Sequence, residues 1–376
     1  MTTSPHWQEV VLVTTSGQGS MDLYGQQLAR HSGARSIELP RHDANRNGFG
    51  APWLSRTALA QLKDDVTAFR ELRGLRGVPG IPHFTHHHTA RYATALRRPY
   101  ILTVHDLIRW LDIQRPEPLI APPTRRDRFL LELDCGAIRR AAHVICISDF
   151  TGRDLIRHLH VTPDKLSVVR HGVDHAVFRP VSRRLVDGPY VLYVGSEHPR
   201  KNLAVLLEAF AEVKRETGWG DLRLVKVGPA GGGDGGYREL TMATVDRLGL
   251  TLGVDVLIVE GRVPVEDLAA YYSGALCLVQ PSRYEGFGMT ALEAMACGCP
   301  TIVSRATSLP EVVGDAALAV PPDDVAGFAS AIRSVVSDRT LAKDLAACAV
   351  ERAARFSWER CAKETRAVYE KVLAQL

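Results

Sequence analysis

Two glutamates beside a glycine-containing turn are the residues of this sequence best suited to chemistry. Glu285 lies in the turn at 281–288, and Glu293 follows eight residues later, about two turns into a predicted helix. Gly286 and Gly288 let the backbone approach a ligand at the helix N-terminus, where free N–H groups favour anions. A carboxylate only accepts hydrogen bonds, so two of them beside such a turn suit a ligand rich in hydroxyl groups, such as a sugar.

Each glutamate taken alone has a simpler explanation. Glu285 near a helix N-terminus would interact favourably with the helix dipole, by about 0.3–1 kcal/mol. Glu293 would then be an ordinary solvent-facing helix residue. The whole string from Pro281 to Pro300, and neither glutamate alone, favours a binding site.

A second candidate group consists of two adjacent cations. Arg200 and Lys201 directly precede a predicted apolar helix at 203–214. Because the N-terminus of a helix prefers anions, these cations conflict with the dipole, and such local conflicts are often found at functional sites. Cations and free N–H groups together can bind a diphosphate, with about 1.5–3 kcal/mol from each charge-assisted hydrogen bond. The sequence therefore predicts an anion site here.

Buried strands must position both groups. Apolar runs end just before each of them, at Tyr190–Gly195 and at Leu276–Gln280. Similar runs alternate with helical patterns along the chain and lie at 9–15, 100–104, 143–147, 166–170, 222–228, 256–261 and 301–304. This alternation predicts an α/β fold with parallel sheets, and 376 residues are sufficient for two domains.

The turn and the helix after it carry a specific motif. The string P-S-x-Y-E-G-F-G at 281–288, with L-E-A-M-A at 292–296 and G-x-P at 298–300, resembles the C-terminal signature of retaining glycosyltransferases of family four, also called glycosyl transferases group 1. The resemblance implies the GT-B fold, in which two Rossmann-like domains face each other across a cleft.

The resemblance also implies domain limits. Residues 1–180 would form an N-terminal acceptor-binding domain, and residues 181–356 a C-terminal domain that binds the nucleotide sugar. Residues 357–376 would form a helix that packs back on the N-terminal domain.

Roles for the charged residues follow from the same resemblance. In the family, the two glutamates contact the donor. The resemblance therefore implies that Glu285 contacts the sugar of the donor and that Glu293 contacts the ribose of its nucleotide. Lys201 matches a family lysine that lies six residues after the strand-end glycine. Many members carry an arginine where this chain has Ser196, and Arg200 is the candidate for that second charge.

His105 follows the strand at 100–104, where open α/β sheets bind ligands, and the resemblance places it beside the donor sugar. Its neighbour Asp106 has the alternative role of a turn cap. The other donor-binding candidates come from turns and loops. They are Gly17, Gly19, Ser148, Arg262, Val263, Gly286, Phe287 and Gly288.

The activity implied is transfer of a hexose such as mannose or glucose, with retention of configuration, from GDP-mannose or a UDP-sugar. The acceptor would be a hydroxyl of a glycan, glycolipid or small molecule, and no metal or other cofactor would be required. Two alternatives stay open. One is another GT-B-like enzyme, a glycosyl phosphorylase or nucleotide-sugar epimerase, and the other is a non-catalytic protein that binds sugar nucleotides.

Net charge and the distribution of apolar residues exclude some classes of partner and location. A net charge of +4 over 376 residues does not indicate a nucleic-acid partner. The sequence has no apolar run near 18 residues and no signal-peptide core at its start. We therefore expect a cytoplasmic protein, and a peripheral contact at the inner face of the membrane stays open.

Four further segments have a predicted structure. Residues 41–55 and 109–124 are predicted loops that would recognise the acceptor. The basic segment 125–140 is predicted to be a helix with a solvated face. Residues 81–88 are predicted to be strand-like, so His86 and His88 would share a face and His87 would point away. A metal site there needs a further ligand that the sequence does not reveal.

Overall fold

The chain folds into two compact units. Unit 1 comprises Met1–Gly172 with Trp358–Leu376, and unit 2 comprises Val173–Ser357, whereas the sequence suggested limits at 180 and 356. The computed structural model describes residues 10–15, 17, 19–39, 66–70, 72, 73, 75–77, 79–216, 218–231 and 236–376. The acceptor loop predicted at 41–55 lies outside these residues.

Unit 1 contains a parallel six-stranded sheet with the order β2-β1-β3-β4-β5-β6. The strands are β1 Val10–Thr15, β2 Arg35–Leu39, β3 Ile81–Phe84, β4 Ile101–Val104, β5 His143–Cys146 and β6 Leu166–Val168. The four strands β1, β3, β4 and β5 are buried along their whole length, as helices on both faces of a parallel sheet require. β2 is an edge strand with exposed polar residues, so it lacks the apolar run that predicted the others.

Helices complete unit 1 around an apolar core of valines, leucines and aromatic residues. In the described part of unit 1, helices include Ser20–Ser32, Ala90–Ala93, Ile108–Gln114, Arg125–Arg140, Asp149–Leu159 and Trp358–Leu373. No described helix of the chain is both long enough and apolar enough to cross a bilayer.

The last helix belongs to unit 1. Trp358–Leu373 packs against Ser20–Ser32, and Arg366 donates to the carbonyl oxygen of His31 at 3.1 Å. The buried hydroxyl of Tyr369 lies 2.7 Å from Nδ1 of His83, whose Nε2 lies 2.8 Å from the hydroxyl of Thr103. Burial lowers the pKa of His83 to about 3, so this ring is a neutral link between the helix and the sheet.

Unit 2 contains a second parallel six-stranded sheet, with the order β12-β11-β10-β7-β8-β9. The strands are β7 Tyr190–Val194, β8 Arg223–Val227, β9 Val256–Val259, β10 Cys277–Gln280, β11 Thr301–Ser304 and β12 Leu318–Val320. The strand order reverses between β7 and β10, which makes a topological switch point at their carboxyl ends.

Helices cover the sheet of unit 2 and share its apolar core. They are Leu203–Lys214, Gly236–Arg247, Val265–Gly274, Met289–Ala296, Leu309–Val313, Val325–Ser337 and Arg339–Ala353.

Two predictions about unit 1 are wrong in part. Residues 109–124 do not form one long loop, because Ile108–Gln114 is helical. The buried carboxylate of Asp112 accepts from Arg109 at 2.7 Å and from the backbone of Leu119 at 2.6 Å, which ties the remaining loop to this helix.

The histidine run is not a strand. β3 ends at Phe84, and His87–Thr89 is a 3₁₀ turn held by a hydrogen bond of 2.6 Å from the Thr89 hydroxyl to the His86 carbonyl. His86 and His88 therefore do not share a strand face. In the described part of the chain, no three or more His, Cys, Asp or Glu side chains are grouped as metal ligands.

We expect Tyr369→Phe to destabilise the protein by about 1–3 kcal/mol, because it leaves Nδ1 of His83 buried without its partner. Urea denaturation measures the loss. The matched control is Tyr271→Phe, which alters a half-buried tyrosine of unit 2. Equal effects of the two substitutions would contradict a specific role for the His83 contact.

Candidate active site

Two loops meet at the switch point of unit 2. The loop after β7 leads through Gly195 and the 3₁₀ turn Pro199–Lys201 to the helix Leu203–Lys214. The loop after β10 leads through residues 281–288 to the helix Met289–Ala296. Because β7 and β10 are paired, the loops lie side by side, and the backbone N–H of Arg283 donates to the carbonyl of Arg200 at 2.7 Å.

The two predicted cations contact the first predicted glutamate. Nζ of Lys201 lies 2.7 Å from Oε1 of Glu285, and a guanidinium nitrogen of Arg200 lies 3.1 Å from Oε2. The side chain of Lys201 is 12% exposed, that of Arg200 is 18% exposed and that of Glu285 is 10% exposed. Arg200 thus brings a second positive charge to Glu285, and its role in place of the arginine that the resemblance puts at Ser196 stays a prediction.

The ionic contact controls the protonation of Glu285. Burial alone would raise the pKa of this carboxyl, but the charges of Lys201 and Arg200 lower it to about 2. Burial also lowers the pKa of Lys201, and its contact with Glu285 opposes that shift. At neutral pH the cluster therefore contains one carboxylate between two cations.

Further polar groups that the sequence did not single out hold Glu285 in place. Oε1 accepts from Nε2 of Gln280 at 2.9 Å and from the hydroxyl of Ser282 at 2.7 Å. The backbone N–H of Glu285 donates to the hydroxyl of Thr307 at 3.0 Å, and its carbonyl accepts from Ser308 at 2.9 Å. Gln280 is a buried amide at the end of an apolar strand. A polar residue at the end of an apolar run is unusual, and this feature of the sequence could have identified Gln280 as a functional residue.

Glu293 lies in the helix that starts after the same turn. It is half-buried, and Oε2 accepts a hydrogen bond of 2.9 Å from the hydroxyl of Tyr272. The explanation of Glu293 as an ordinary solvent-facing residue is therefore wrong. Burial raises its pKa to about 7, with opposing contributions from Tyr272 and Lys201.

A buried ion cluster fixes the loop that carries the cations. Oε1 of Glu197 lies 2.7 Å from Nζ of Lys226, which also donates to the carbonyl of Gly228 at 2.6 Å. Arg238 donates to the same carboxylate at 3.0 Å, and the backbone N–H of Glu197 donates to Ala230 at 2.8 Å. The loops after β7 and β8 are thereby joined, a link that sequence reasoning missed because its members are far apart in the chain.

The remaining candidates of unit 2 lie in two places, the turn that carries Glu285 and the loop after β9. Gly286, Phe287 and Gly288 belong to the same turn as Glu285, and Gly288 has φ +114°, a conformation that favours glycine. The ring of Phe287 is buried against Phe356, so the side chain is part of the packing, and a donor-binding role of its backbone stays a prediction. Arg262 and Val263 lie in the loop after the edge strand β9, two strands away from β7.

His105 lies in unit 1, at the carboxyl end of β4. Its Nε2 is 2.8 Å from the carbonyl oxygen of Thr85, and because a carbonyl only accepts, Nε2 carries the proton. Burial lowers the pKa of His105 to about 4, so the ring is neutral at physiological pH. Nδ1 is then the acceptor of the ring, in keeping with the predicted contact to a hydroxyl.

Gly17 and Gly19 lie in the turn between β1 and the first helix. The carboxylate of Asp22 accepts from the backbone N–H of Gly19 at 3.0 Å and from the hydroxyl of Thr15. A Cβ at Gly17 would collide with this carboxylate. Since Asp22 already caps the helix N-terminus, this turn suits neutral groups better than an anion.

Ser148 lies at the carboxyl end of β5 and is the N-cap of the helix Asp149–Leu159. Its hydroxyl oxygen accepts from the backbone N–H of Thr151 at 3.0 Å. The same hydroxyl donates to the Thr151 hydroxyl at 2.9 Å. The donor-binding role of Ser148 stays a prediction.

Comparisons with known families and proteins agree with this geometry. Residues 9–177 match the model described as Glycosyltransferase Family 4, and residues 188–338 match the model described as Glycosyl transferases group 1. Together the two matches cover most of the chain.

Among curated relatives, the O-antigen chain mannosyltransferase B of Escherichia coli is 31% identical over 66% of this chain and 65% of its own length. A D-inositol 3-phosphate glycosyltransferase of Acidothermus cellulolyticus is 33% identical over 74% of this chain and 63% of its own length. The chain thus spans slightly less than two thirds of the length of these relatives.

Among solved structures, sucrose-phosphate synthase from Thermosynechococcus elongatus superposes with a TM-score of 0.79 at 25% identity. The match covers 98% of this chain and 99% of that one. The fold is therefore shared along nearly the whole chain.

The raised pKa of Glu293 predicts a pH dependence of stability. At pH 5 the folded state keeps a proton that most unfolded chains have lost, and by pH 7.5 the folded state has largely lost it too, so the free energy of unfolding should fall between these two pH values. We expect wild type to lose about 2–3 kcal/mol relative to Glu293→Gln over this range. Urea denaturation at both pH values measures the difference, with the exposed Glu266→Gln as control. Parallel behaviour of wild type and Glu293→Gln would contradict the assignment.

Proposed function

The chain belongs to the family 4 glycosyltransferases, the glycosyl transferases group 1, and from this premise we propose that it transfers a sugar from a nucleotide diphosphate donor to an acceptor hydroxyl. The observation that carries the proposal is the meeting of Lys201, Arg200 and Glu285 at the switch point of unit 2. Ligands of open α/β sheets bind at such points.

The leaving diphosphate is the group that most needs stabilisation. As the bond to the anomeric carbon breaks, negative charge grows on the departing phosphate oxygen. Lys201 and Arg200 are largely buried, so their charges act in a medium that screens them weakly. Because Glu285 neutralises only one of the two charges, the site retains positive charge for the diphosphate.

The glutamates supply recognition of the donor. We propose that Glu285 accepts a hydrogen bond from a sugar hydroxyl and that Glu293 accepts one from the ribose. Glu293 can accept in either protonation state, since a protonated carboxyl keeps acceptor capacity. His105 remains our candidate for a neutral contact to a sugar hydroxyl.

We propose retention of configuration and independence of divalent metal. Both follow from the family resemblance, and the positive charges of Lys201 and Arg200 supply the electrostatic role that a divalent ion would otherwise fill. Activity that survives chelation by EDTA is the expected result. The anomeric configuration of the product, read by NMR coupling constants, tests retention.

The donor sugar is proposed to be a hexose, with mannose first because the Escherichia coli relative is named a mannosyltransferase. The acceptor is a glycan, glycolipid or small molecule. Calorimetry and thermal-shift measurements with GDP, UDP, GDP-mannose, UDP-glucose and further nucleotide sugars test the proposal. A ligand at a hundred times its Kd adds about 2.7 kcal/mol of stability.

Three outcomes separate the proposal from its alternatives. Selective binding of one nucleotide sugar followed by transfer to an added acceptor supports a glycosyltransferase. Binding with no turnover on any acceptor supports a sugar-nucleotide binding protein. Turnover that needs inorganic phosphate, or inversion at a sugar carbon of the donor, supports a phosphorylase or an epimerase.

We expect Lys201→Ala to lower kcat by about 10²–10³-fold, the range for loss of one group that stabilises transition-state charge. Single-turnover transfer of labelled sugar measures the loss. The matched control is Lys343→Ala, which removes an exposed lysine of the helix Arg339–Ala353 in the same unit. Turnover near that of wild type would remove the phosphate role from Lys201.

A further inference from the structure

The two oxygens of the Glu285 carboxylate differ in how many donors they already have. Oε1 accepts from Nζ of Lys201 at 2.7 Å, Nε2 of Gln280 at 2.9 Å and Oγ of Ser282 at 2.7 Å. Among the described residues, Oε2 accepts from Arg200 alone, at 3.1 Å. An ionised carboxylate offers about two acceptor sites on each oxygen. Oε1 is therefore saturated within the protein, and Oε2 keeps capacity.

From this asymmetry we propose that Gln280 and Ser282 are positioning residues that fix the Glu285 carboxylate so that Oε2 alone accepts one hydroxyl of the donor sugar. The inference rests on the proposed function, because it concerns the donor sugar. It extends that function by naming the recognising atom and the two residues that orient it.

Burial of the two positioning residues supports this role. Gln280 is 2% exposed and Ser282 is fully buried, so neither can turn toward solvent. Oε1 of Gln280 has no hydrogen-bond partner in the described part of the chain. An unpaired buried acceptor destabilises the folded state, and an apolar side chain of similar size would avoid that cost. Folding stability alone therefore does not explain an amide at this position, whereas donation to Glu285 does.

The backbone of Glu285 is held as firmly as its side chain. Thr307 accepts from its N–H group, and Ser308 donates to its carbonyl. Thr307 has φ +56°, which is unusual and costly for a β-branched residue. With the backbone fixed by one segment and Oε1 fixed by another, the direction of Oε2 is determined before a ligand binds.

A specificity consequence follows for the donor. Arg200 occupies one of the two acceptor sites of Oε2, and the remaining site can accept from one hydroxyl. Only one position of the sugar should therefore depend on Glu285. In a series of deoxy donors, one analogue should show no further loss when Glu285 is replaced by Gln. The other analogues should lose affinity with the substitution as the complete donor does.

The test compares Gln280→Leu, Ser282→Ala and the double variant with wild type. Calorimetry gives the Kd of the nucleotide sugar and of the bare nucleotide, and kinetics give kcat and KM. We expect the double variant to weaken binding of the nucleotide sugar by about 10–100-fold. This is the effect of losing a hydrogen bond to a charged group, because Oε2 of Glu285 would no longer point at the sugar hydroxyl. Binding of the bare nucleotide should stay within about threefold of wild type.

Two controls separate orientation from general damage. Thr301→Val removes another buried hydroxyl of the same sheet, one that donates to the carbonyl of Cys299 and not to Glu285. It should leave the ratio of the two Kd values unchanged. In a Glu285→Gln background, the Gln280 and Ser282 substitutions should add little further loss, because the carboxylate they orient is gone.

The outcomes distinguish this inference from the proposed function. If wild type prefers a nucleotide sugar and the double variant keeps the full preference, or loses sugar and nucleotide affinity equally, the inference is overturned and the function stands. If wild type binds no nucleotide sugar, the proposed function fails. A crystal structure of the ligand-free double variant then decides the positioning role: a rotated Glu285 carboxylate supports it, and an unchanged one overturns it.

Discussion

The contact of one carboxylate with two cations at the switch point of unit 2 is the interaction on which the rest of the site depends. Lys201, Arg200 and Glu285 are largely buried, and a buried charge is tolerated only when it is paired. The pairing requires β7 and β10 to be neighbours, because each strand delivers one side of the contact. The sheet order thus decides that residues about 85 positions apart meet, since parallel neighbours end at the same edge.

Two sets of internal contacts keep this cluster in place from opposite sides. On the cation side, Glu197 and Lys226 join the loop after β7 to the loop after β8. Gly228 lies so close to Gly195 that a Cβ there would approach the Gly195 carbonyl oxygen to 2.9 Å, so the loops have no room for a larger residue. On the carboxylate side, Gln280, Ser282 and the segment with Thr307 hold Glu285. Such preorganisation would reduce the reorganisation needed to bind the diphosphate of the proposed donor.

Sequence patterns predicted the inner strands of both sheets and missed two of the four edge strands. Thr301–Ser304 was predicted residue for residue, whereas β2 and β12 were missed. β2 is polar and partly exposed, so it lacks the apolar run that identified the others. β12 lies in the alanine-rich run Ala-Ala-Leu-Ala-Val at 316–320, and alanine is depleted in strands. The motif located Lys201 and Glu285, but Gln280 and Glu197 act through partners that only the folded chain brings near. Arg200 shows the same limit, because its neighbours in sequence do not reveal that its guanidinium reaches Glu285.

The candidate site residues of unit 2 are charged, whereas those of unit 1 are neutral. Unit 2 concentrates ionised groups at the ends of β7 and β10, as an anionic diphosphate requires. The candidates in unit 1 are neutral: His105 is an uncharged imidazole with its proton on Nε2, the hydroxyl of Ser148 is occupied by Thr151, and Asp22 neutralises the helix N-terminus beside Gly19. A sugar and its acceptor offer hydroxyl groups, which neutral acceptors and donors recognise without a large desolvation cost. The charges of unit 2 therefore suit an anionic group such as the diphosphate proposed above, and the neutral groups of unit 1 suit hydroxyl groups.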